Sequence, residues 1–217
     1  MKLPLNVNEA KSIICEAGKR LLNNELVAGT WGNISVRVDD ARFAITPSGM
    51  DYNKLALEDV PIVSLSDLSY DGPKPSTEVK LHGEIYRTRK EINAILHTHS
   101  MNASTVAAAR REVPPILDDM TQIIGPSIRV ADYALPGTSK LVKGTVKALS
   151  GRNGVLLANH GALVVGRDMD ESFTAAIILE KSCKAFIEAE FLGGAKSINK
   201  FEAALMHQYY LKKYQKK

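Results

Sequence analysis

Two short apolar segments, "INAILHTH" at residues 92–99 and "GVLLANHGALVVG" at residues 154–166, constrain the fold of this chain most strongly. Both are rich in aliphatic side chains and shorter than an ordinary buried helix, so each predicts buried β-strands. The second segment is interrupted by "NHG", which predicts a strand, a turn and another strand. Apolar strands of this kind need covering helices that exclude water from the sheet.

The rest of the chain supplies those helices and further strands. Apolar residues recur at helical spacing from residue 7 to about residue 26, and Asn8 is the expected N-cap. In "NISVRVDD", apolar residues alternate with Ser35 and Arg37, which predicts a half-buried strand that forms a hairpin with "RFAITP". A (β/α)₈ barrel typically needs about 250 residues and eight strand–helix units. We therefore expect an α/β fold with a mixed sheet.

Composition bounds the remaining possibilities. We expect a single domain over residues 1–217, with a helical tail from about residue 198. The formal net charge is +4, but the basic residues are not interleaved with aromatic ones as in nucleic-acid-binding proteins. The sequence contains neither an apolar stretch of about 18 residues nor a signal-peptide pattern. We therefore expect a cytoplasmic protein without nucleic-acid or membrane partners.

Three histidines give the clearest chemical signal. His97 and His99 lie two residues apart on a predicted strand, so their side chains leave the same face and can hold one ion. A pair of satisfied, partly buried histidines is the alternative interpretation. His160 follows another apolar strand and precedes Gly161, where a turn can present an imidazole at the sheet edge. Three imidazoles at two strand ends predict a metal site that stays open to substrate, as in catalytic zinc centres.

Small and hydroxyl residues form further candidate sites, each weak alone. Ser76, Thr77 and Glu78 fall where a helix is expected to begin near Ser76 or Thr77, and a helix N-terminus favours an anion. An ordinary helix cap is the alternative. "GTWGNIS" and "TPSG" place glycines beside hydrogen-bond donors, in turns whose backbone can wrap a phosphate. The residues concerned in these turns are Gly32, Asn33, Ser48 and Gly49.

In this order, the segments "GNIS", "TPSG", "STE", "HTHS" and "ANHG" resemble the class II aldolase and adducin-head family, roughly over residues 8–192. The ordered set is far more specific than any single segment. The resemblance implies a three-layer α/β fold, with a central mixed and largely antiparallel β-sheet covered by helices on both faces. It also implies a divalent-metal-dependent enzyme, commonly a fourfold-symmetric homotetramer with active sites at subunit interfaces.

The family's site residues transfer to matching positions of this chain. The resemblance implies that His97, His99 and His160 bind a divalent metal, Zn²⁺ or else Mn²⁺ or Co²⁺. It implies that Glu78 is the catalytic base and also a ligand of the resting metal. The family holds the substrate phosphate with the two turns and the hydroxyl pair, which here are Gly32, Asn33, Ser48, Gly49, Ser76 and Thr77.

Two further catalytic positions match the family less well. In "PPILDDMTQIIG", Asp118 and Asp119 fall where L-fuculose-phosphate aldolases place a tyrosine that acts in a neighbouring subunit, and Asp119 is our candidate. A C-terminal tyrosine donates a proton in the family. Tyr209, Tyr210 and Tyr214 are available for this role, and Tyr210 is our candidate. The missing tyrosine argues against fuculose phosphate itself as the substrate.

These residues predict a class II aldolase, a carbon–carbon lyase that reversibly cleaves a ketose 1-phosphate. The expected substrate resembles fuculose phosphate or 5-deoxyribulose phosphate, and the products are dihydroxyacetone phosphate and an aldehyde. A sugar-phosphate 4-epimerase or a decarboxylase of the same family would use a similar site. A non-catalytic adducin-like module is the alternative of another class, which the complete set of metal-binding residues disfavours.

Overall fold

The computed structural model of the protein describes residues 4–214. Within that range, eight strands form one sheet and seven α-helices pack around it. The strands are β1 (Asn33–Arg37), β2 (Arg42–Ile45), β3 (Ile62–Ser64), β4 (Tyr70–Asp71), β5 (Ala94–Thr98), β6 (Val130–Ala131), β7 (Gly154–Leu157) and β8 (Gly161–Gly166). The helices are α1 (Val7–Asn23), α2 (Val79–Thr88), α3 (Met101–Ala108), α4 (Asp118–Ile123), α5 (Ser139–Leu149), α6 (Met169–Phe191) and α7 (Lys200–Tyr214).

The sheet is mixed and largely antiparallel. Its strand order is β4-β3-β2-β1-β5-β8-β7-β6, and every neighbouring pair is antiparallel except β6 and β7. Because side chains alternate along a strand, Leu96 and Val164 face α1, α3 and α6, whereas Ile95 and Leu163 face α2 and α5. Helices therefore cover both faces, which confirms the predicted three-layer α/β fold. The continuous sheet supports a single domain, which stays a prediction.

Strand β1 is buried on both faces, so the prediction of a half-buried strand is wrong. Ile34 and Val36 face the α1 side, as expected. Ser35 and Arg37 are also buried, because α2 covers them and supplies hydrogen-bond partners. The Ser35 hydroxyl lies 2.8 Å from the Tyr86 hydroxyl, and Arg37 Nη2 donates to the Tyr86 carbonyl oxygen at 2.8 Å.

Helix α1 ends at Asn23, three residues before its predicted end, and its N-cap is Asn6 rather than Asn8. The Asn6 side chain accepts a hydrogen bond from the Asn8 N–H at 2.9 Å. In return, the Asn6 N–H donates to the Glu9 carboxylate at 3.3 Å, which completes a capping box.

The predicted C-terminal helix is α7, and it packs against α4. Ala203 and His207 are buried at this contact, and His207 Nδ1 lies 2.8 Å from the Gln122 carbonyl oxygen. Residues 215–217 of the predicted tail lie outside the described residues. Helix α4 was not predicted, because six residues are too few to reveal a helical period. None of the described helices is long and apolar enough to cross a membrane.

Candidate functional site

The three predicted metal-binding histidines meet at one edge of the sheet. His97 lies on β5 opposite Asn33 of β1, His99 follows the end of β5, and His160 lies in the turn between β7 and β8. Nε2 of His97 is 2.9 Å from Nε2 of His99 and 3.3 Å from Nε2 of His160. One ligand atom from each ring lies within 4.8 Å of the others. The structure therefore brings the two strand ends together as one potential donor set.

These imidazoles present nitrogen lone pairs to a common point. His97 Nδ1 lies 2.8 Å from the Ala162 carbonyl oxygen, so its N–H donates there and its Nε2 lone pair faces the cluster. Burial, and then the neighbouring histidines, lower the pKa of His99 to about 3 and the pKa of His160 to about 4. These two rings are consequently neutral at pH 7, the protonation state in which imidazole binds metal.

Glu78 lies beside the cluster and is almost completely buried. Its Oε2 is 3.4 Å from His97 Nε2, and its Oε1 is 3.9 Å from His160 Nε2. Burial would raise the pKa of Glu78, but the attraction of His97 and a 2.9 Å hydrogen bond from Asn33 Nδ2 outweigh it and hold the pKa at about 2. Glu78 Oε1 has no hydrogen-bond partner among the described residues. A carboxylate with a free oxygen beside three imidazoles fits a divalent cation.

Glu78 is presented by the N-terminus of α2. That helix begins at Val79, so the predicted start at Ser76 or Thr77 is two to three residues early. Glu78 is the N-cap residue, but its side chain makes no capping hydrogen bond, since it turns towards the histidines. The Ser76 hydroxyl instead accepts from the Glu78 N–H at 3.3 Å.

Two turns adjoin the metal cluster and form the rest of the pocket. The Ser48 N–H donates to the Lys74 carbonyl and the Ser76 N–H donates to the Thr46 carbonyl, both at 3.0 Å, so the "TPSG" turn runs beside residues 74–76. The pocket has a volume of about 210 Å³, below the roughly 300–1,000 Å³ of drug-sized ligand sites, which suits a small metabolite. It is lined by Thr30, Trp31, Gly32, Asn33, Pro47, Ser48, Gly49, Ser76, Thr77, Glu78, His97, His99, Pro136 and His160.

The other two predicted catalytic residues lie elsewhere in the chain. Asp119, at the start of α4, has Oδ2 2.5 Å from Lys181 Nζ, and its Oδ1 accepts from the Met120 N–H. The Tyr210 hydroxyl on α7 donates to Glu171 Oε1 at 3.0 Å. Neither Asp119 nor Tyr210 lines the pocket of its own chain.

Gly32 is sterically required next to the cluster. Its φ is +82°, and a Cβ at this position would lie 2.6 Å from the His97 carbonyl oxygen. We expect Gly32→Ala to destabilise the protein more than Gly29→Ala, a matched control with φ of +61° and open space around its Cβ. A left-handed alanine costs about 1–2 kcal/mol in either variant, and the clash adds about 1–3 kcal/mol at Gly32. Urea unfolding of both variants measures the difference, and equal stabilities would contradict the steric argument.

Glu180 is a site residue that sequence reasoning missed. From α6, its carboxylate accepts four hydrogen bonds of 2.7–2.8 Å at the start of α3, from Ser100 Oγ, Asn102 N, Asn102 Nδ2 and Ala103 N. The N-cap residue Ser100, which directly follows His99, makes no side-chain cap of its own. A carboxylate at this position complements the helix dipole. Glu180 therefore anchors the segment that presents His99.

We expect Glu180→Ala to lower the free energy of unfolding by about 2–4 kcal/mol, because four buried or half-buried donors lose a charged acceptor. The apparent affinity for a divalent metal should fall about tenfold or more, since His99 loses its support. Glu188→Ala is the matched control on the same helix. The Glu188 side chain is 63% exposed, and its ion pair with Lys184 is long, at 3.8 Å. Its stability should change by no more than about 0.5 kcal/mol. Denaturation and metal titration of both variants test this anchoring role.

Comparison with known proteins places this fold and site in a family. Residues 12–187 match the family model described as Class II Aldolase and Adducin N-terminal domain. The 5-deoxy-D-ribulose 1-phosphate aldolase of Bacillus thuringiensis is 35% identical over 181 residues, covering 82% of this chain and 84% of the relative. The 5-methylthioribulose-1-phosphate/5-deoxyribulose-1-phosphate aldolase of Rhodospirillum rubrum is 31% identical over 174 residues, covering 80% of this chain and 78% of the relative.

A solved structure agrees with these sequence relatives. L-fuculose 1-phosphate aldolase superimposes on this chain with a TM-score of 0.90 at 30% identity, covering 96% of this chain and 99% of the other. Class II aldolases depend on a divalent metal, and the converged histidines provide a fitting donor set. The family match extends over most of the chain and includes every strand and helix that forms the pocket. This chain therefore belongs to the class II aldolase and adducin family.

Proposed function

We propose that this protein is a class II sugar-phosphate aldolase that reversibly cleaves a ketose 1-phosphate to dihydroxyacetone phosphate and an aldehyde. One observation supports this most directly. The Nε2 atoms of three histidines and the buried Glu78 carboxylate converge in a pocket that also contains two turns rich in small and hydroxyl residues. The pocket thus combines a cation site, a base and an anion site within the reach of one small molecule.

The reaction breaks the bond between C3 and C4 of the ketose and leaves negative charge on the three-carbon fragment. His97, His99 and His160 would hold a divalent cation, which would supply Lewis acidity to stabilise this charge. The C4 hydroxyl releases one proton as its oxygen becomes that of the aldehyde, and C3 of the fragment gains one through Glu78, so that the fragment leaves as dihydroxyacetone phosphate. Asn33 orients Glu78 through its hydrogen bond to Oε2. The pKa of Glu78, held at about 2, keeps the carboxylate ionised at pH 7, which is the form that takes the C3 proton of dihydroxyacetone phosphate in the condensation direction.

The phosphate group is proposed to bind where the turn residues and the Ser76–Thr77 pair line the pocket. Ser48, Ser76 and Thr77 supply hydroxyl donors there, and the backbone at Gly32 and Gly49 has positive φ, which turns N–H groups towards a ligand. Binding a remote phosphate orients the scissile bond at the metal, so that binding energy lowers the barrier of the chemical step. Asn33 Nδ2 uses one of its two hydrogens on Glu78, and the second is the one proposed to donate to the phosphate.

Zinc is the proposed native metal. Imidazole ligands suit zinc, and three histidines with an open position are typical of catalytic rather than structural zinc sites. Mn²⁺ and Co²⁺ are the proposed substitutes. The pairing of His97 Nδ1–H with the Ala162 carbonyl is the kind of supporting contact that orients a zinc-binding imidazole.

A homotetramer with active sites at subunit interfaces is proposed as the functional form. Trp31 and Met101, and Leu135 beside the pocket residue Pro136, are large apolar side chains exposed near the pocket. Exposed apolar groups around a site mark a surface that a protein partner covers. Asp119 and Tyr210 would then act in the pocket of a neighbouring copy. We propose a cytoplasmic location for this assembly.

The proposed substrate class is a 5-deoxy-ketose 1-phosphate. Two relatives, 35% and 31% identical to this chain, are named for 5-deoxyribulose 1-phosphate. Cleavage of that sugar between C3 and C4 releases acetaldehyde, which needs no polar recognition of its methyl end. A ketose 1-phosphate that resembles L-fuculose 1-phosphate is the second substrate class proposed, because the well-matched solved structure is named for that sugar.

A panel of ketose 1-phosphates and 5-phosphates tests the function. We expect 5-deoxyribulose 1-phosphate to release acetaldehyde and dihydroxyacetone phosphate in equal amounts. Conversion of a 5-phosphate to its epimer without free aldehyde would instead identify a 4-epimerase. Release of carbon dioxide from a keto-acid phosphate would identify a decarboxylase. Turnover of none of these by the metal-loaded protein would contradict a catalytic function.

A further inference from the structure

His82 is a completely buried histidine for which the proposed reaction has no assigned role. It lies on α2, one helical turn after Glu78, and its Nδ1 is 2.6 Å from Ser35 Oγ. Its Nε2 is buried and has no hydrogen-bond partner among the described residues. Burial without a partner costs a polar nitrogen about 1–3 kcal/mol. A structural histidine would have both nitrogens satisfied, so the unpaired Nε2 needs an explanation.

A row of polar contacts joins β1 to the segment that contains Glu78 and α2, and we call this row the polar ladder. Ser35 and Arg37 follow Asn33 at two-residue intervals on one face of β1, and each contacts α2. Their partners on α2, Glu78, His82 and Tyr86, follow one another at four-residue intervals. Two residues of strand rise about 6.6 Å and four residues of helix rise about 6 Å, so the two sets stay in register. In this polar ladder, His82 lies next to Glu78, the proposed base.

The polar ladder also determines where the His82 proton lies. Tyr86 and Ser35 hydroxyls are 2.8 Å apart, and among the described residues Ser35 is the only partner of His82 Nδ1. If Tyr86 donates to Ser35 and Ser35 donates to Nδ1, both hydroxyl hydrogens have acceptors, and the ring proton on Nε2 is the one group of these three residues left unpaired. The reverse order places the ring proton on Nδ1 and leaves two groups unpaired, the Tyr86 hydrogen and the Nε2 lone pair. The first arrangement is therefore the stable one.

We propose that His82 is a positioning residue whose Nε2–H is the hydrogen-bond donor for Oε1 of Glu78 as that carboxylate turns from the histidine cluster towards the substrate. The two atoms are complementary, since both are buried and unpaired, one a donor and the other an acceptor. His82 follows Glu78 by one helical turn, and their partners on β1, Ser35 and Asn33, are two residues apart on one face of the strand. The donor would hold the base in one orientation during proton transfer. This inference rests on the proposed role of Glu78 as the base.

Two amide substitutions distinguish the roles of the two ring nitrogens of His82. The amide nitrogen of glutamine reaches the position of Nε2, and that of asparagine reaches the position of Nδ1. His82→Gln should keep kcat within about threefold, whereas His82→Asn should lower kcat about 10- to 100-fold. KM, metal content and the melting temperature should be similar in the two variants. Equal losses in both variants, or full activity of His82→Asn, would overturn the proposal.

The tautomer gives a test that needs neither a variant nor turnover. Long-range ¹⁵N–¹H correlation spectra of the ¹⁵N-labelled, metal-loaded protein identify which ring nitrogen is protonated, and the chain has only five histidines to assign. We expect the His82 proton on Nε2. A proton on Nδ1 would overturn the proposal, whatever the activity. A wild-type protein that cleaves no ketose phosphate would refute the proposed function, and the spectrum would still decide whether this donor exists.

Discussion

Replacing Glu78 by glutamine is expected to lower kcat by about 10²- to 10⁴-fold, the usual contribution of a general base. Glutamine has the same shape and keeps an oxygen acceptor for Asn33 Nδ2, which now bonds Glu78 Oε2 at 2.9 Å. Glutamine cannot carry the proton that C3 gains in cleavage and loses in condensation. The three histidines remain, so the metal should still bind. Steady-state kinetics with metal analysis of the same preparation measures both expectations.

The matched control for this substitution is Glu84→Gln on the same helix. The Glu84 carboxylate is 39% exposed and pairs with Arg87 at 3.4 Å, well away from the pocket lining. We expect its kcat to equal that of the wild type. Full turnover by the Glu78→Gln variant would exclude Glu78 as the base, and loss of metal by that variant would instead show that Glu78 acts chiefly as a ligand.

Removing the divalent metal is expected to reduce cleavage about 10³-fold or more, because Lewis-acid stabilisation is worth several kcal/mol. Adding Zn²⁺, Mn²⁺ or Co²⁺ to the chelated protein should restore activity. The metal should also raise the melting temperature, since it binds the folded histidine cluster and contributes about 2.7 kcal/mol at a concentration 100-fold above its Kd. Calorimetry and turnover before and after chelation test both effects.

Substitution of one ligand should reproduce the effect of chelation. His97→Asn removes the Nε2 that lies 2.9 Å and 3.3 Å from the other two ring nitrogens, so one equivalent of metal should no longer be retained. His207→Asn is the control, because that buried histidine bonds the Gln122 carbonyl at the α4 contact. It should keep the metal even if it lowers stability. Full activity in a chelated protein without a divalent ion would exclude Lewis-acid catalysis.

Several parts of this fold could be predicted because their signal is local. The strands in "INAILHTH" and "GVLLANHGALVVG" were predicted from apolar runs of strand length, and the structure contains them as β5, β7 and β8. The hairpin of β1 and β2 followed from alternation and a short polar turn. Periodicity reports the face that an element buries, and hydrophobic burial dominates the stability of each element. Helix α4 and the two-residue strands were too short to show any period.

The contacts that support the site could not be predicted in the same way. The Glu180 carboxylate bonds Ser100 from 80 positions along the chain, and Asn33 bonds Glu78 from 45 positions away. Polar residues of these types are common on surfaces, so their sequence context does not distinguish a buried anchor from a solvated side chain. For the same reason, Ser35 was expected to be exposed although α2 covers it.

Residue types and local spacing indicate the chemistry that this chain can perform. They place His97 on β5, His99 directly after it, a third imidazole in the turn before β8, and a carboxylate at the N-terminus of α2. Which atoms face one another depends instead on how distant segments pack: three Nε2 atoms meet, Asn33 bonds Glu78, and His82 keeps one nitrogen without a partner among the described residues. This is because hydrogen bonds and metal sites need atoms placed to within a few tenths of an ångström. That precision comes from the packing of α2 and α6 on the sheet rather than from the local pattern of any one segment.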